Sequence, residues 1–475
     1  AIEYFCPACK ARHKGRFFKK PDLDDLERAE EAERMLARLN LRFVPEESIP
    51  GGDETDRLLR WGYRRFRDMF NSRQLFGLEI SCQLIADQPN ERVRHALATN
   101  LSDLLRYQNM LCRYDTMALK SLDIFSVHGF PVGLVQCESN LLGIPTAGET
   151  SIGSGGWSNI IGKYTKAKAY CDEPFEFRHD GRQKTLVKLA GEWIGERRDG
   201  LFEEAQRTVD LRCGDSAEAE LSPESLDAIF TVLPYFGNVQ YAELMDFCYV
   251  WLRQFAGDAT LHFLEGTTKN DQELTGNASM NRGIEHFTGG LSRVFQKMAT
   301  ALRPGRPLAF TYHHNKLDAY RPIAVAILDS GLACTAALPC PAEMGASIHI
   351  NGTGSSIVDT VFVCRKPPLP AELLDGEPRT ISELVATDRD LLTKGGVKVT
   401  AGDERCVGFG HITRAAICSL ASSWDPSASI EARLERVKRA ITDAEAHAVS
   451  RESNAESVEH SEHVAAATPL RTALI

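Results

Sequence analysis

The chain has 475 residues, 43% hydrophobic and 25% charged, with 13 cysteines and a formal net charge of −10 at pH 7. These values exclude disordered, collagen-like and disulfide-scaffold classes and suit about two to four globular domains. The acidic balance gives no global electrostatic case for nucleic acid. No stretch nears roughly 18 unbroken apolar residues, the first residues lack a signal-peptide layout, and the scattered cysteines suit a reducing compartment, so a cytoplasmic protein with no membrane partner is expected.

Residues 1–20 contain Cys6-Pro7-Ala8-Cys9 beside a basic, aromatic stretch, the form of one knuckle of a zinc ribbon. A ribbon needs four ligands. No second CxxC follows and His13 would add only a third, so Cys6 and Cys9 are an incomplete metal site. Half a ribbon completed upstream of Ala1, a local or intermolecular site, and no metal all remain open. Because the chain starts with Ala1 so close to this motif, a longer parent protein is expected, with zinc bound only when upstream sequence is present.

Residues 21–56 read as a connecting helix, acidic at its start and arginine-bearing at its end, followed by a linker rich in Pro, Gly and acids. Residues 57–204 read as a helical, loop-rich domain. Within it Arg57, Arg60, Arg64, Arg65, Arg67 and Arg73 alternate with Trp61, Tyr63, Phe66 and Phe70 as a helix with an aromatic inner face. Its arginines either pair with Asp53, Glu54, Asp56 and Asp68 or meet phosphate. Two amphipathic helices follow before Tyr114, and residues 115–165 dissolve into loops that include Gly153-Ser154-Gly155-Gly156.

Residues 205–366 alternate short β-type runs with helices, the pattern of an α/β domain with a mostly parallel sheet. Strands are expected at 209–213, 228–232, 307–312, 333–338 and 359–364, and helices at 240–255, 283–302 and 319–331. Residues 367–475 are expected to be a variable, partly disordered tail with one helix at 431–448.

The most informative segment is DAIFTVLPYFGNVQYAELMDFCYVWLR, residues 227–253, where a buried-type strand runs into Pro234-Tyr235-Phe236-Gly237-Asn238 and then an aromatic-rich helix. A rigid proline and two aromatics at the carboxyl end of a strand stand where open α/β sheets bind ligands. The turn resembles the DPPY motif of amino-group DNA methyltransferases. With LSDLLRYQNMLCRYD, KAKAYCDEPFE, ALRPGRPLAFTYHHN and VDTVFVCRK, the chain resembles the zinc-ribbon-containing adenine-specific DNA methylase family over about residues 1–366.

That resemblance implies a partial doubly wound, Rossmann-like methyltransferase sheet plus a helical domain, with the last strand an antiparallel insertion near the sheet edge. It also implies S-adenosylmethionine as cofactor, double-stranded DNA as substrate, and a restriction or antiphage setting with other defence-system proteins as partners. Tyr235, Phe236 and Asn238 would stack on and hydrogen-bond a flipped base. The motif's catalytic positions fall on Val232, Leu233, Pro234 and Tyr235, and the sequence departs from it at the first two. Val232 stands where an Asp or Asn accepts from the target amine, and Leu233 replaces the first proline. Loss of one such polar contact costs about 100- to 1000-fold in rate.

The resemblance places the cofactor glycine loop upstream, and Gly153-Ser154-Gly155-Gly156 follows no clear strand. Asp215 is the one cofactor-type residue, with a helix cap as the alternative. His313 and His314 would point to opposite faces, with no carboxylate partner visible, and Glu243 and Asp246 would share a helix face. Residues 351–356 read as a loop near the substrate. Impaired methyltransferase activity is therefore expected, the alternative being a nonenzymatic DNA-binding or scaffold protein derived from such an enzyme.

Overall fold

Two large hydrophobic cores and a smaller cluster of Val358, Leu392 and Val407 organise the described residues, and the boundary between the two large cores falls at the strand-to-helix turn that begins at Leu233. The computed structural model describes residues 1–9, 15–117, 119–127, 129–133, 136–144, 155–180, 183–189, 210–237, 239–256, 263–341, 356–369 and 379–465.

The amino-terminal part opens with an antiparallel hairpin, β1 (Ile2–Phe5) and β2 (Arg16–Lys19), whose turn carries Cys6 and Cys9. α1 (Leu23–Arg38) starts at a capping box in which the Asp22 and Asp25 carboxylates each accept the other's backbone N–H, a device worth about 1 kcal/mol. α2 (Thr55–Arg60), α3 (Ser72–Ala86) and α4 (Glu91–Leu105) build the first core, with a second capping box between Asn71 and Gln74 at the start of α3. The short hairpin β3 (Arg113–Asp115) and β4 (Lys120–Leu122) precedes α5 (Trp157–Asp172), and the ribbon β5 (Phe175–Asp180) and β6 (Gln183–Lys188) follows.

The remaining elements are β7 (Ile229–Val232), α6 (Tyr241–Ala256), α7 (Ile284–Ala301), β8 (Pro307–Tyr312), α8 (Arg321–Asp329), β9 (Ala333–Pro341), β10 (Val358–Arg365), α9 (Ile381–Lys394), α10 (Ala401–Leu420) and α11 (Ile430–Ala465). Four strands form a mixed sheet in the order β7-β8-β10-β9. β7 runs parallel to β8, while β10 is antiparallel to both β8 and β9, so the last strand in sequence is inserted, reversed, between two earlier ones. Alternate residues Leu308, Phe310 and Tyr312 of β8 and Thr360, Phe362 and Cys364 of β10 are buried toward the helices. Phe310 stacks on Phe362 with ring centres 5.4 Å apart, and side chains from α7, α8, α10 and α11 complete this second core.

α6 follows β7 in sequence but does not join the sheet core. Its Leu244, Phe247, Val250 and Trp251 lie in the first core, where Phe70 stacks on Phe247 at 5.6 Å. The chain thus leaves one core and enters the other within a few residues.

Several expectations are corrected. The arginine-rich stretch is no continuous helix: α2 stops before Gly62, whose φ of +94° lies where glycine is at home, and a 3-10 turn follows at Phe66–Met69. Residues 210–213 form no strand, and residue 209 lies outside the described residues. The expected tail differs most, since α10 and α11 place Ile412, Ala416, Ile417, Leu434, Val437 and Ile441 in the sheet core. Gly410 makes this approach possible, because a Cβ there would fall 2.7 Å from the Thr360 side chain on β10.

Candidate functional site at the carboxyl end of the sheet

β7 alternates strictly, with Ile229 and Thr231 half-buried and Phe230 and Val232 exposed. This alternation sets the motif's geometry. Leu233 turns into the sheet core at 4% exposure, whereas Val232 is 73% exposed on the opposite side of the strand. The Tyr235 ring is half-buried 6.0 Å from Tyr312, and its backbone N–H donates to the Tyr241 hydroxyl at 3.4 Å. Phe236 packs on Phe287 at 5.2 Å and covers Gly276, where a Cβ would lie 2.9 Å from its ring. Gly237, at φ +70°, closes the turn. Asn238 lies outside the described residues.

The neighbouring strand contributes two histidines just past its end. His313 Nδ1 donates to the Val358 carbonyl at 3.1 Å and stands 3.7 Å from the Asp359 carboxylate. That carboxylate is the partner local sequence could not reveal, because the two residues meet only through antiparallel register: Thr360 lies opposite Tyr312. The carbonyl and the carboxylate together orient the His313 ring at this edge of the sheet. His314 faces the other way; its Nδ1 accepts the Lys316 N–H at 3.0 Å, and burial pushes its pKa below the ordinary value.

Behind the turn, the start of α6 is a polar joint between the cores. The Glu243 carboxylate, 2% exposed, accepts the backbone N–H groups of Asp53, Glu54 and Thr55 at 3.1, 2.8 and 3.0 Å and the Asn277 amide at 3.0 Å. It therefore satisfies the free donors at the start of α2. Asp246, one turn on, accepts from Thr267 at 2.5 Å and from the N–H and hydroxyl of Thr268 at 2.6 and 2.7 Å. Both acids that sequence places on one helix face thus brace the backbone.

Asp215 lies in an exposed turn and accepts the Ala217 N–H at 2.8 Å. Gly155 and Gly156 serve packing, with the Gly155 carbonyl accepting from Gln108 at 2.7 Å; Gly153 and Ser154 lie outside the described residues, as do 351–355. Arg65 and Arg67 pair with Glu46, and Arg73 with Glu138, so these arginines have acidic partners that sequence proximity did not point to. At the amino-terminal hairpin the Cys9 thiol and backbone hydrogen bonds lower the Cys6 pKa, and the same contact raises that of Cys9. Among the described residues no group of three or more His, Cys, Asp or Glu is placed to hold a metal, and His13 lies outside them. Cys6 and Cys9 fit zinc as half of a ligand set. No described helix is long and apolar enough to cross a membrane.

Comparison with models of protein families, with curated proteins and with solved structures finds no match to this chain.

Proposed function

We propose that this chain is an S-adenosylmethionine-dependent DNA adenine methyltransferase family protein, impaired in transfer chemistry. The observation that carries the reading is the strand order β7-β8-β10-β9, with β10 reversed between parallel neighbours, the insertion expected of that enzyme class. The aromatic turn at the carboxyl end of β7 lies where ligands bind such sheets. In this reading Tyr235 and Phe236 form the wall against which a flipped adenine rests, and His313 lines the same edge. S-adenosylmethionine would supply the methyl group.

Val232 limits the chemistry. A valine accepts no hydrogen bond, so the target amine is left unoriented at a cost of about 100- to 1000-fold in rate. The second reading, a nonenzymatic DNA-binding or scaffold protein, draws on that same residue and on the Tyr235 ring already resting near Tyr312.

A tritiated-methyl transfer assay on mixed duplex DNA tests the reading. The unmodified chain is expected to transfer nothing, and a version extended upstream to bind S-adenosylmethionine without appreciable turnover. Val232→Asp in the extended protein is expected to recover adenine methylation, and Tyr235→Ala to remove it again. Leu233 is best left in place, because it is buried in the sheet core and proline would vacate that position. Transfer by the unmodified chain would overturn the catalytic assignment, and an extended protein that ignores the cofactor would overturn the family reading.

A further inference from the structure

The β5–β6 ribbon forms a two-stranded sheet of its own beyond the end of α5, and every residue of β6 is exposed. Its register sorts its chemistry by face. Phe175 lies opposite Lys188 and Phe177 opposite Leu186, while Glu176 pairs with Val187 and Arg178 with Thr185 on the other side. One face therefore presents Phe175, Phe177, Lys184, Leu186 and Lys188, with Glu176 on the reverse. Phe177 is 44% exposed, and the Lys184 ammonium sits 3.7 Å from its ring centre.

α5 continues that face. Tyr170 meets Phe175 edge-on at 5.2 Å, and Lys166 and Lys163 precede Tyr170 by four and seven positions, on the same side of the helix. Two of the cations have acidic neighbours: Lys188 with Glu173 at 3.1 Å and Lys163 with Asp103 at 3.3 Å, both on the surface. Such exposed pairs are weak enough for a phosphate to compete with them. Between residues 157 and 189 there are seven Lys and Arg against four Asp and Glu, whereas the whole chain has 55 against 65. The local charge is opposite in sign to that of the molecule, and it is interleaved with aromatic rings.

We propose that this face of the β5–β6 ribbon and α5 docks duplex DNA, with Lys166, Lys184 and Lys188 on phosphates and Phe177 against the groove wall. A two-stranded ribbon is narrow enough for the major groove, and lysines placed between apolar rings give the backbone contacts from which non-specific affinity arises. The inference rests on the reading that the substrate is DNA, and it adds the surface that holds it.

Fluorescence anisotropy of the full chain with a labelled mixed-sequence duplex tests the docking without requiring catalysis. The wild type is expected to bind with an affinity that falls steeply as salt rises. Lys184→Gln with Lys188→Gln is expected to weaken binding about tenfold and to flatten the log–log salt slope by about 1.8, the equivalent of two phosphate contacts. Phe177→Ala is expected to cost about tenfold more, and Lys394→Gln with Lys438→Gln, on exposed positions of α9 and α11, to change neither quantity. All variants should keep the wild-type circular dichroism. Wild-type binding that the ribbon lysines do not affect would overturn the ribbon assignment alone and leave the proposed function standing. A wild-type chain that ignores duplex DNA would overturn both. Sedimentation showing a dimer that Phe177→Ala dissociates would give the face to a second copy of the chain and overturn the docking of DNA.

Discussion

On one face of the four-stranded sheet, Phe310, Tyr312 and Phe362 are at most 1% exposed beneath helices; on the other, Phe230 and Val232 are 78% and 73% exposed and Leu338 is 46% exposed. The strands are the same and both faces carry large apolar side chains, although the second also carries Thr311, Asp359 and Arg365. What differs is the partner, because α7, α8, α10 and α11 all pack on the first face. A hydrophobic side chain stabilises the fold in proportion to the area it removes from water, so Phe230 contributes little while Phe362 contributes a great deal. Large apolar residues left in water mark a surface whose role is not the stability of its own core.

Four measurements would break or sharpen this contrast. Phe362→Ala removes a ring packed against Phe310 and near Tyr320 and is expected to cost about 3–5 kcal/mol, read from the urea midpoint of the sheet core. A cost below 1 kcal/mol, on the order of a surface change, would show that the two faces do not differ as described.

Next in size is the latch between β10 and α10. The Asp403 carboxylate accepts the Thr400 N–H and hydroxyl at 2.8 and 2.7 Å, the Ser356 hydroxyl at 2.8 Å and the Ile357 N–H at 2.8 Å. Burial alone would raise its pKa, but these donors outweigh burial and hold it below the ordinary 3.8. Asp403→Asn is expected to cost about 1–3 kcal/mol in thermal denaturation. The depressed pKa means that the latch's stabilisation is present above pH 3.8 and is lost as pH falls through the folded value. An Asp403→Asn protein with unchanged acid sensitivity would contradict that assignment.

His314 gives a smaller, oppositely caused effect in a higher pH range. Burial lowers its pKa from 6.5, so below that pH the unfolded chain binds the proton more readily than the folded chain. Stability should therefore be highest above pH 6.5 and decline as pH drops through it, and His314→Gln should flatten the decline in urea midpoints. The smallest effect is expected at Phe230→Ser on the open face, within about 0.5 kcal/mol of wild type. A loss of several kcal/mol there would mean that this face is covered in solution.

Much of the local structure is legible in the sequence. The strand expected at 307–312 coincides with β8, that at 228–232 with β7 to within a residue, and helices 240–255 and 283–302 with α6 and α7. These depend on periodicity and on turn residues close in sequence. The helices after residue 380 were not legible as core. α10 mixes glycine, alanine, cysteine and charged residues with no strong apolar stripe, and it packs against α8, α9, α11, β9 and β10.

The candidate site divides along the same line. That a proline and two aromatics follow a strand is written in residues 229–236, and the alternation of that strand already places Val232 and Leu233 on opposite sides. Only the tertiary structure decides that Leu233 enters a core, that Asp359 reaches His313 from 46 residues away, and that Glu243 holds a helix start nearly two hundred residues earlier in the chain. Local periodicity depends on neighbours in the chain, whereas a buried hydrogen bond or a cross-strand pair depends on how remote segments fold back, and no spacing along the sequence encodes that meeting.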